Sequence, residues 1–172
     1  MSLKRNFTFI MLGISLIIVS YLFYKIYSGI IYKNEIARKR GKLPDLCFYN
    51  LDGEKLCPAR ISNGNSTVIM FFDSECHYCI YGIGSIIKNA GSFTDTNILL
   101  ISDQPVKLLR RFSEKYKLYK YPQIEILYED YGVITSVFGT ITIPQTFIYC
   151  KDHNLLKIFR GEVSAETILK YN

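Results

Sequence analysis

The sequence predicts an α/β fold in which helices flank both faces of a mixed central sheet, with a β-hairpin ahead of it and a single apolar helix at the N-terminus. Three observations predict it. Strand-like and helix-like stretches alternate from Val68 to Phe138, which calls for parallel strands joined by crossover helices. Two pairs of short β runs flank that middle section, each pair joined by a turn. Phe7 to Tyr24 is uncharged over about 18 residues, close to the minimum for a membrane span.

The chain has 172 residues, 49% of them hydrophobic and 15% aromatic, enough for one good core once the apolar N-terminus is set aside. Ile26 to Tyr32 extends that segment past Lys25, whose long side chain can snorkel to the headgroups. The run is long for a signal peptide and no A-x-A-like cleavage site follows it, so a retained anchor over residues 1–32 is expected. A basic, polar linker over residues 33–42 and a folded domain over residues 43–172 complete the organisation. Much of the net charge of +6 sits beside the anchor, in Lys25, Lys33, Arg38, Lys39 and Arg40, which suits a membrane surface. No basic helix or RNA-binding signature is present, which excludes nucleic acid as a partner.

The folded part opens at Pro44. Leu46 to Leu51 and Glu54 to Cys57 read as a hairpin, with Asp52-Gly53 as a two-residue type I′ turn. That register sets Phe48 opposite Cys57 and Tyr49 opposite Leu56, which points Cys47 and Cys57 to opposite faces, so a disulfide between them would need a bulge or a different turn, and an oxidising compartment. Arg60 to Ser66 is a Ser, Asn and Gly-rich loop. Val68 to Phe72 is a buried strand, Asp73 to Glu75 a polar break, and Ile80, Ile83, Ile86, Ile87 and Ala90 the apolar stripe of a helix.

After a break over Gly91 to Asn97 comes a short buried strand, Ile98 to Ile101. Ser102 or Asp103 is expected to cap a helix with Pro105 in its first turn, running to about Tyr116. Ile124 to Tyr128 is a strand, and Asp130 to Phe138 a short helical or irregular piece. Gln145 to Cys150 and Leu155 to Phe159 form a second hairpin across Lys151 to Asn154, and Ser164 caps a last helix to Lys170.

Of five cysteines only Cys76 and Cys79 share a short motif. Cys76 falls at the first exposed turn of the Ile-rich helix and Cys79 one turn inside it. Two sulfurs so placed can close into a disulfide and reopen, which points to redox chemistry. A thiolate at a helix N-terminus also faces unpaired N–H groups and the positive end of the dipole, so Cys76 is the expected nucleophile. A different class of function would use Cys76, His77 and Cys79 to hold and deliver copper or zinc. Three ligands so close in sequence, with His153 the one other histidine, are a thin basis for a site, and no metal or other cofactor is expected. A third possibility is a docking domain that keeps the pair without turnover.

CxxC at a strand-to-helix turn, Ile143-Pro144 before a β-hairpin and a C-terminal helix together resemble the thioredoxin fold. The Pro44-Asp45 and Asp52-Gly53 hairpin and the extra helix-strand unit between Ile98 and Tyr128 look like its membrane-anchored TlpA/ResA branch. The resemblance covers Leu43 to Tyr171. It implies Cys76 as nucleophile, Cys79 as resolving thiol, Pro144 as a cis-proline beside the pair, and the Ile143 backbone as a hydrogen-bonding partner for an extended substrate segment. It also implies protein thiols or disulfides as substrates and an upstream membrane or soluble redox partner.

The sequence departs from that family around the pair. Glu75 stands where thioredoxins carry Trp, and its carboxylate opposes thiolate formation unless it points away. His77 and Tyr78 replace Gly-Pro, and a protonated His77 would stabilise the Cys76 thiolate. Met70 and Gly82 stand where relatives place acids, so no base for Cys79 is apparent. Lys4 and Arg5 precede the apolar segment while more basic residues follow it, a count that by itself puts the domain in the cytoplasm. A tethered two-cysteine site serves mainly the outer compartment, and on that ground the domain is expected outside the cytoplasm, in the periplasm or its equivalent.

Overall fold

In a computed structural model of the chain, backbone is described for residues 2–61, 64–129 and 132–171. The chain divides into two compact units, Met1–Ala37 and Arg38–Asn172. The first belongs to a long helix, α1 (Ser2–Arg40). Its segment Met11–Arg40 has a mean hydropathy of 1.7 and is long and apolar enough to cross a membrane. Helical backbone continues through Arg40, into the stretch expected as a linker.

The second unit holds β1 (Phe48–Asn50), β2 (Lys55–Leu56), α2 (Pro58–Ile61), β3 (Ser66–Phe71), α3 (His77–Lys88), β4 (Thr96–Ser102), α4 (Val106–Tyr116), β5 (Ile124–Tyr128), α5 (Val133–Phe138), β6 (Gln145–Tyr149), β7 (Leu155–Arg160) and α6 (Ala165–Leu169). The strands form one sheet in the order β2-β1-β5-β4-β3-β6-β7. β3, β4 and β5 are parallel and the outer pairings antiparallel, the mixed sheet expected. Asp130 and Tyr131, the start of the piece expected before Phe138, and Ser62 and Asn63 lie outside the described residues.

Alternation along the central strands divides the core into two layers. Val68, Met70 and Phe72 face α3, α4 and α6, where Cys79, Ile83, Ile86, Leu109, Phe112 and Ile168 are buried with them. Ile69 and Phe71 face the opposite layer, with Leu99, Phe138 and Phe147. Phe71, Phe138 and Phe147 meet there edge to face, with ring centroids 4.9 to 5.8 Å apart. β3 is buried at every position, as befits a strand covered on both faces.

The first hairpin corrects the expected turn and, with it, the cysteines. Asn50 N–H donates to the Glu54 carbonyl and Gly53 N–H to the Asn50 carbonyl, so the loop has three residues, Leu51 to Gly53, with Gly53 at φ +84°. Asn50 selects it: its Oδ1 accepts from Asp52 N–H at 3.0 Å and Glu54 N–H at 2.8 Å, an Asx turn. The register moves by one, pairing Phe48 with Leu56 and Tyr49 with Lys55. Cys47 therefore faces Cys57 directly, Cα to Cα 4.0 Å, and the two form a disulfide. The second hairpin uses the same loop, with Cys150 N–H donating to the Asn154 carbonyl and His153 taking the left-handed position at φ +64°.

Two helix starts differ in their caps. α4 begins after Pro105, and neither Ser102 nor Asp103 caps it. The Ser102 hydroxyl instead accepts from Gln104 N–H at 3.3 Å. Ser164 caps α6 as expected, its Oγ accepting from Thr167 N–H at 3.4 Å.

Beside the hairpin tip, burial pushes the Glu125 carboxyl on β5 upward, and Asp52 and Glu54 add to the shift. A carboxyl raised in the folded state disfavours folding once it ionises, so its stabilising contribution is complete below the unfolded value near 4.3 and is lost as pH rises through the folded value. Glu125→Gln is accordingly expected to raise the Tm at pH 7 and to lose that advantage near pH 4. Thermal melts at the two pH values check this, and an equal shift at both would contradict it.

Candidate redox site

The site is built where the central strand ends. β3 delivers Phe72, fully buried, to the carboxyl edge of the sheet, and α3 starts five residues later at His77 with Cys76 as its N-cap residue. No side chain caps α3, so its first amides stay open toward the Cys76 side. The helix forms because Ile83 and Ile86 recur on the buried side at helical spacing, with Cys79 one turn from the start. Ser85 Oγ ties α3 to α6 on the same face of the sheet by accepting from Ala165 N–H at 3.0 Å.

The two thiols are unequal. Cys76 is half-exposed; Cys79 is completely buried. Burial pushes the Cys79 thiol up to about 12, outweighing the Asp73 backbone amide that donates to its sulfur at 3.5 Å and acts the other way. The Cys76 sulfur lies within hydrogen-bond reach of Cys79 and adds to the rise. In the reduced protein at pH 8, an alkylating reagent is expected to modify Cys76 and to spare Cys79 until the chain unfolds. Peptide mapping after timed quenching reads this, and equal labelling of both would contradict it.

Of the other residues expected here, Glu75, His77 and Tyr78 are all exposed. Glu75 is turned to solvent while its amide donates to Asp73 Oδ1 at 2.7 Å. The carboxylate that acts on Cys79 is that of Asp73, which raises the thiol further. The rings of His77 and Tyr78 lie edge to face, 6.3 Å between centroids. Among the described residues no three His, Cys, Asp or Glu side chains converge as a metal site, and His77 in solvent does not join buried Cys79 in one. Cys150 is a free, half-buried thiol at the end of β6, near the opposite edge of the sheet.

Ile143-Pro144 is a cis peptide, as expected. Gln145 pairs with Phe71, which brings Pro144 alongside β3 where that strand leaves for the cysteines. Ile143 is 42% exposed and lines a cavity of 490 Å³ with Phe71, Phe72, Ile101, Ile134 and Ile141. Met70 lies buried under α3, its methyl 3.8 Å from where a Cβ on Gly82 would stand, and that Cβ would meet the Val163 carbonyl at 3.2 Å. Gly82 is thus a close-packing position rather than a missing acid.

A Cβ on Gly84 would meet nothing within 4 Å. Gly84→Ala is expected to stabilise the domain by up to about 1 kcal/mol through helix propensity, whereas Gly82→Ala gains less or destabilises because of the Val163 contact. Thermal melts of the two variants compare them directly, and an equal gain in both would contradict the close packing.

A mixed sheet, a strand-to-helix CxxC and a cis-proline opposite it define a thioredoxin-fold protein of the TlpA/ResA-like type. Residues 40–158 match the AhpC/TSA family, and the chain belongs to that family. Among curated proteins it is similar to the thiol-disulfide oxidoreductase ResA of Bacillus thuringiensis subsp. konkukian, 21% identical over 98% of this chain and 96% of the relative. Similar solved structures include StoA from Bacillus subtilis, at 18% identity and a TM-score of 0.57 over 73% of this chain and 94% of the other. Another is a secreted Mycobacterium tuberculosis disulfide oxidoreductase homologous to Escherichia coli DsbE, at 20% identity and a TM-score of 0.59 over 70% and 87% of the two chains.

Proposed function

We propose that the chain is a membrane-anchored thiol-disulfide oxidoreductase whose Cys76 and Cys79 exchange a disulfide with cysteines of protein partners outside the cytoplasm. The observation that carries this reading is the inequality of the two thiols, one half-exposed at the start of α3 and the other wholly buried one turn deeper. Residues 1–32 serve as the anchor, 33–42 as the connection and 43–172 as the catalytic domain.

In the reducing direction the Cys76 thiolate attacks one sulfur of a partner disulfide. A Cys76-partner S–S bond forms, the partner's own S–S bond breaks, and its freed thiolate takes a proton from solvent. Cys79 then gives up its proton and attacks the Cys76 sulfur. The Cys76-Cys79 disulfide forms, the mixed disulfide breaks, and the second partner thiol leaves. Two electrons and two protons pass from the pair to the partner, and the reverse sequence oxidises it. An upstream membrane or soluble dithiol protein resets the pair. The potential of the pair sets the direction.

The division of labour follows from burial. Cys79 holds its proton at neutral pH, which protects the incoming mixed disulfide from early resolution, while the Asp73 amide stands ready to stabilise the sulfur when it ionises. Glu75, His77 and Tyr78 form the exposed surface around Cys76 that a partner meets first. Ile143 and Pro144 form the opposite wall, and the cavity beside Ile143, lined by apolar residues and by Ser102, Asp103, Glu129 and Thr135, offers room for a side chain of an extended segment.

Placement outside the cytoplasm is supported by the Cys47-Cys57 disulfide, since structural disulfides persist in oxidising compartments. The apolar Met11–Arg40 helix supports the anchor. The detergent-solubilised full chain, reduced beforehand, is expected to accelerate disulfide reduction in a model protein substrate. Neither turnover nor any mixed disulfide would leave a docking domain as the surviving reading.

A further inference from the structure

The loop that presents Cys76 is held by its backbone amides. Three of its four N–H groups find acceptors close by in sequence: Asp73 donates to Cys79 Sγ at 3.5 Å, Glu75 to Asp73 Oδ1 at 2.7 Å and Cys76 to the Asp73 carbonyl at 3.2 Å. Ser74 differs. Its N–H donates to Gln104 Oε1 at 2.7 Å, across 30 residues of sequence.

Gln104 is itself held in place. It stands between β4 and α4, its own N–H donating to the hydroxyl of Ser102, which is 3% exposed at the end of β4. Pro105 follows it and restricts the backbone on its other side. The acceptor for Ser74 is therefore mounted on the strand beside β3, not on a freely moving loop.

We infer that Gln104 is a positioning residue for the Cys76-Cys79 site, acting through Ser74 to fix the loop from which Cys76 attacks. It touches neither sulfur. The inference rests on the exchange reaction proposed above, in which Cys76 must approach a disulfide in line, a geometry that small displacements of the loop degrade. The bland alternative is a brace that contributes stability and leaves the thiol's reactivity alone. Gln123 supplies the comparison, since its Nε2 donates to the Ala90 carbonyl at 2.8 Å at a part-buried position remote from the cysteines.

The test uses the reduced full chain in detergent with a small aromatic disulfide as probe, together with hydrogen exchange at the Ser74 amide. Gln104→Met keeps the length and removes the acceptor, and it is expected to slow Cys76 by about tenfold and to expose the Ser74 amide to exchange. Gln104→Glu restores an acceptor, so at high ionic strength, where its added charge is screened, the rate is expected to return to within about threefold of the parent. Gln123→Ala is expected to lower the Tm and leave the Cys76 rate unchanged. A Gln104→Met chain with the parental rate and parental Ser74 protection overturns the inference, as does an equal loss in the Met and Glu variants. A parent chain that never forms a reversible Cys76-Cys79 disulfide instead sinks the exchange reaction itself and, with it, this role for Gln104, an outcome told apart because Ser74 protection is read independently of turnover.

Discussion

Cys76→Ser is expected to reduce exchange with protein disulfides to the background rate, a loss of at least about 10³-fold, while Cys79→Ser turns the chain into a trap that accumulates a mixed disulfide through Cys76. The two outcomes differ because the thiols differ in access. Cys76 is the sulfur a partner can reach, and nothing replaces it, since Cys150 is half-buried near the other edge of the sheet. Cys79 is wholly buried and acts only on a disulfide formed at Cys76, so its loss stops the second step and leaves the first intact. Non-reducing electrophoresis with mass mapping of the linked peptides checks this. A trap that forms through Cys79, or turnover that survives in Cys76→Ser, would contradict the assignment.

Removing the Cys47-Cys57 disulfide as a Cys47→Ala, Cys57→Ala pair is expected to cost about 2 to 3 kcal/mol of stability. The sequence separation is 10, a short loop, and closing it removes correspondingly modest entropy from the unfolded chain. What the bridge secures is the sheet's outer pair, β1 with β2, where β2 has only two residues and little ladder of its own. Arg110 adds a second tie there, its guanidinium donating to the Leu51 carbonyl and meeting Asp52 Oδ1 at 3.2 Å. Denaturant unfolding of the oxidised parent against the double variant measures the loss. Exchange at Cys76 and Cys79 is expected to persist below the new Tm, and a parallel loss of activity would show that the hairpin shapes the site.

The central strands were legible because burial on both faces writes them as unbroken apolar runs, Val68 to Phe72 and Ile98 to Ile101, and both lie in the observed core. The pair was legible for a local reason, as two cysteines one helical turn apart at the end of such a run. The hairpin register was not. Asp52-Gly53 is a sound signal for a two-residue turn, and Asn50, which captures two amides with its side chain, outweighs it. That single residue decides whether Cys47 and Cys57 meet. Asp73 and Gln104 are not legible, for a different reason. Asp73 reads as part of a polar break, and Gln104 reads as a residue before a helix. Asp73 takes its part only once the loop folds its amide onto Cys79, and Gln104 only when β3 and β4 lie side by side and bring it to Ser74. Gly82 reads as an absent acid in the sequence, because the Val163 carbonyl that leaves little room for a Cβ there comes from 81 residues away.

The most direct test of the account is a redox titration of the full chain across a graded series of thiol-disulfide buffers, with the state of each cysteine read by differential alkylation and mass spectrometry. The account predicts one two-electron transition confined to Cys76 and Cys79, with Cys47-Cys57 remaining bridged throughout it. A midpoint near −270 mV would mark a reductase and one near −120 mV an oxidant, each compatible with exchange at this site. A chain in which Cys76 and Cys79 stay reduced across the whole series, or in which the transition belongs to Cys47 and Cys57, would contradict it.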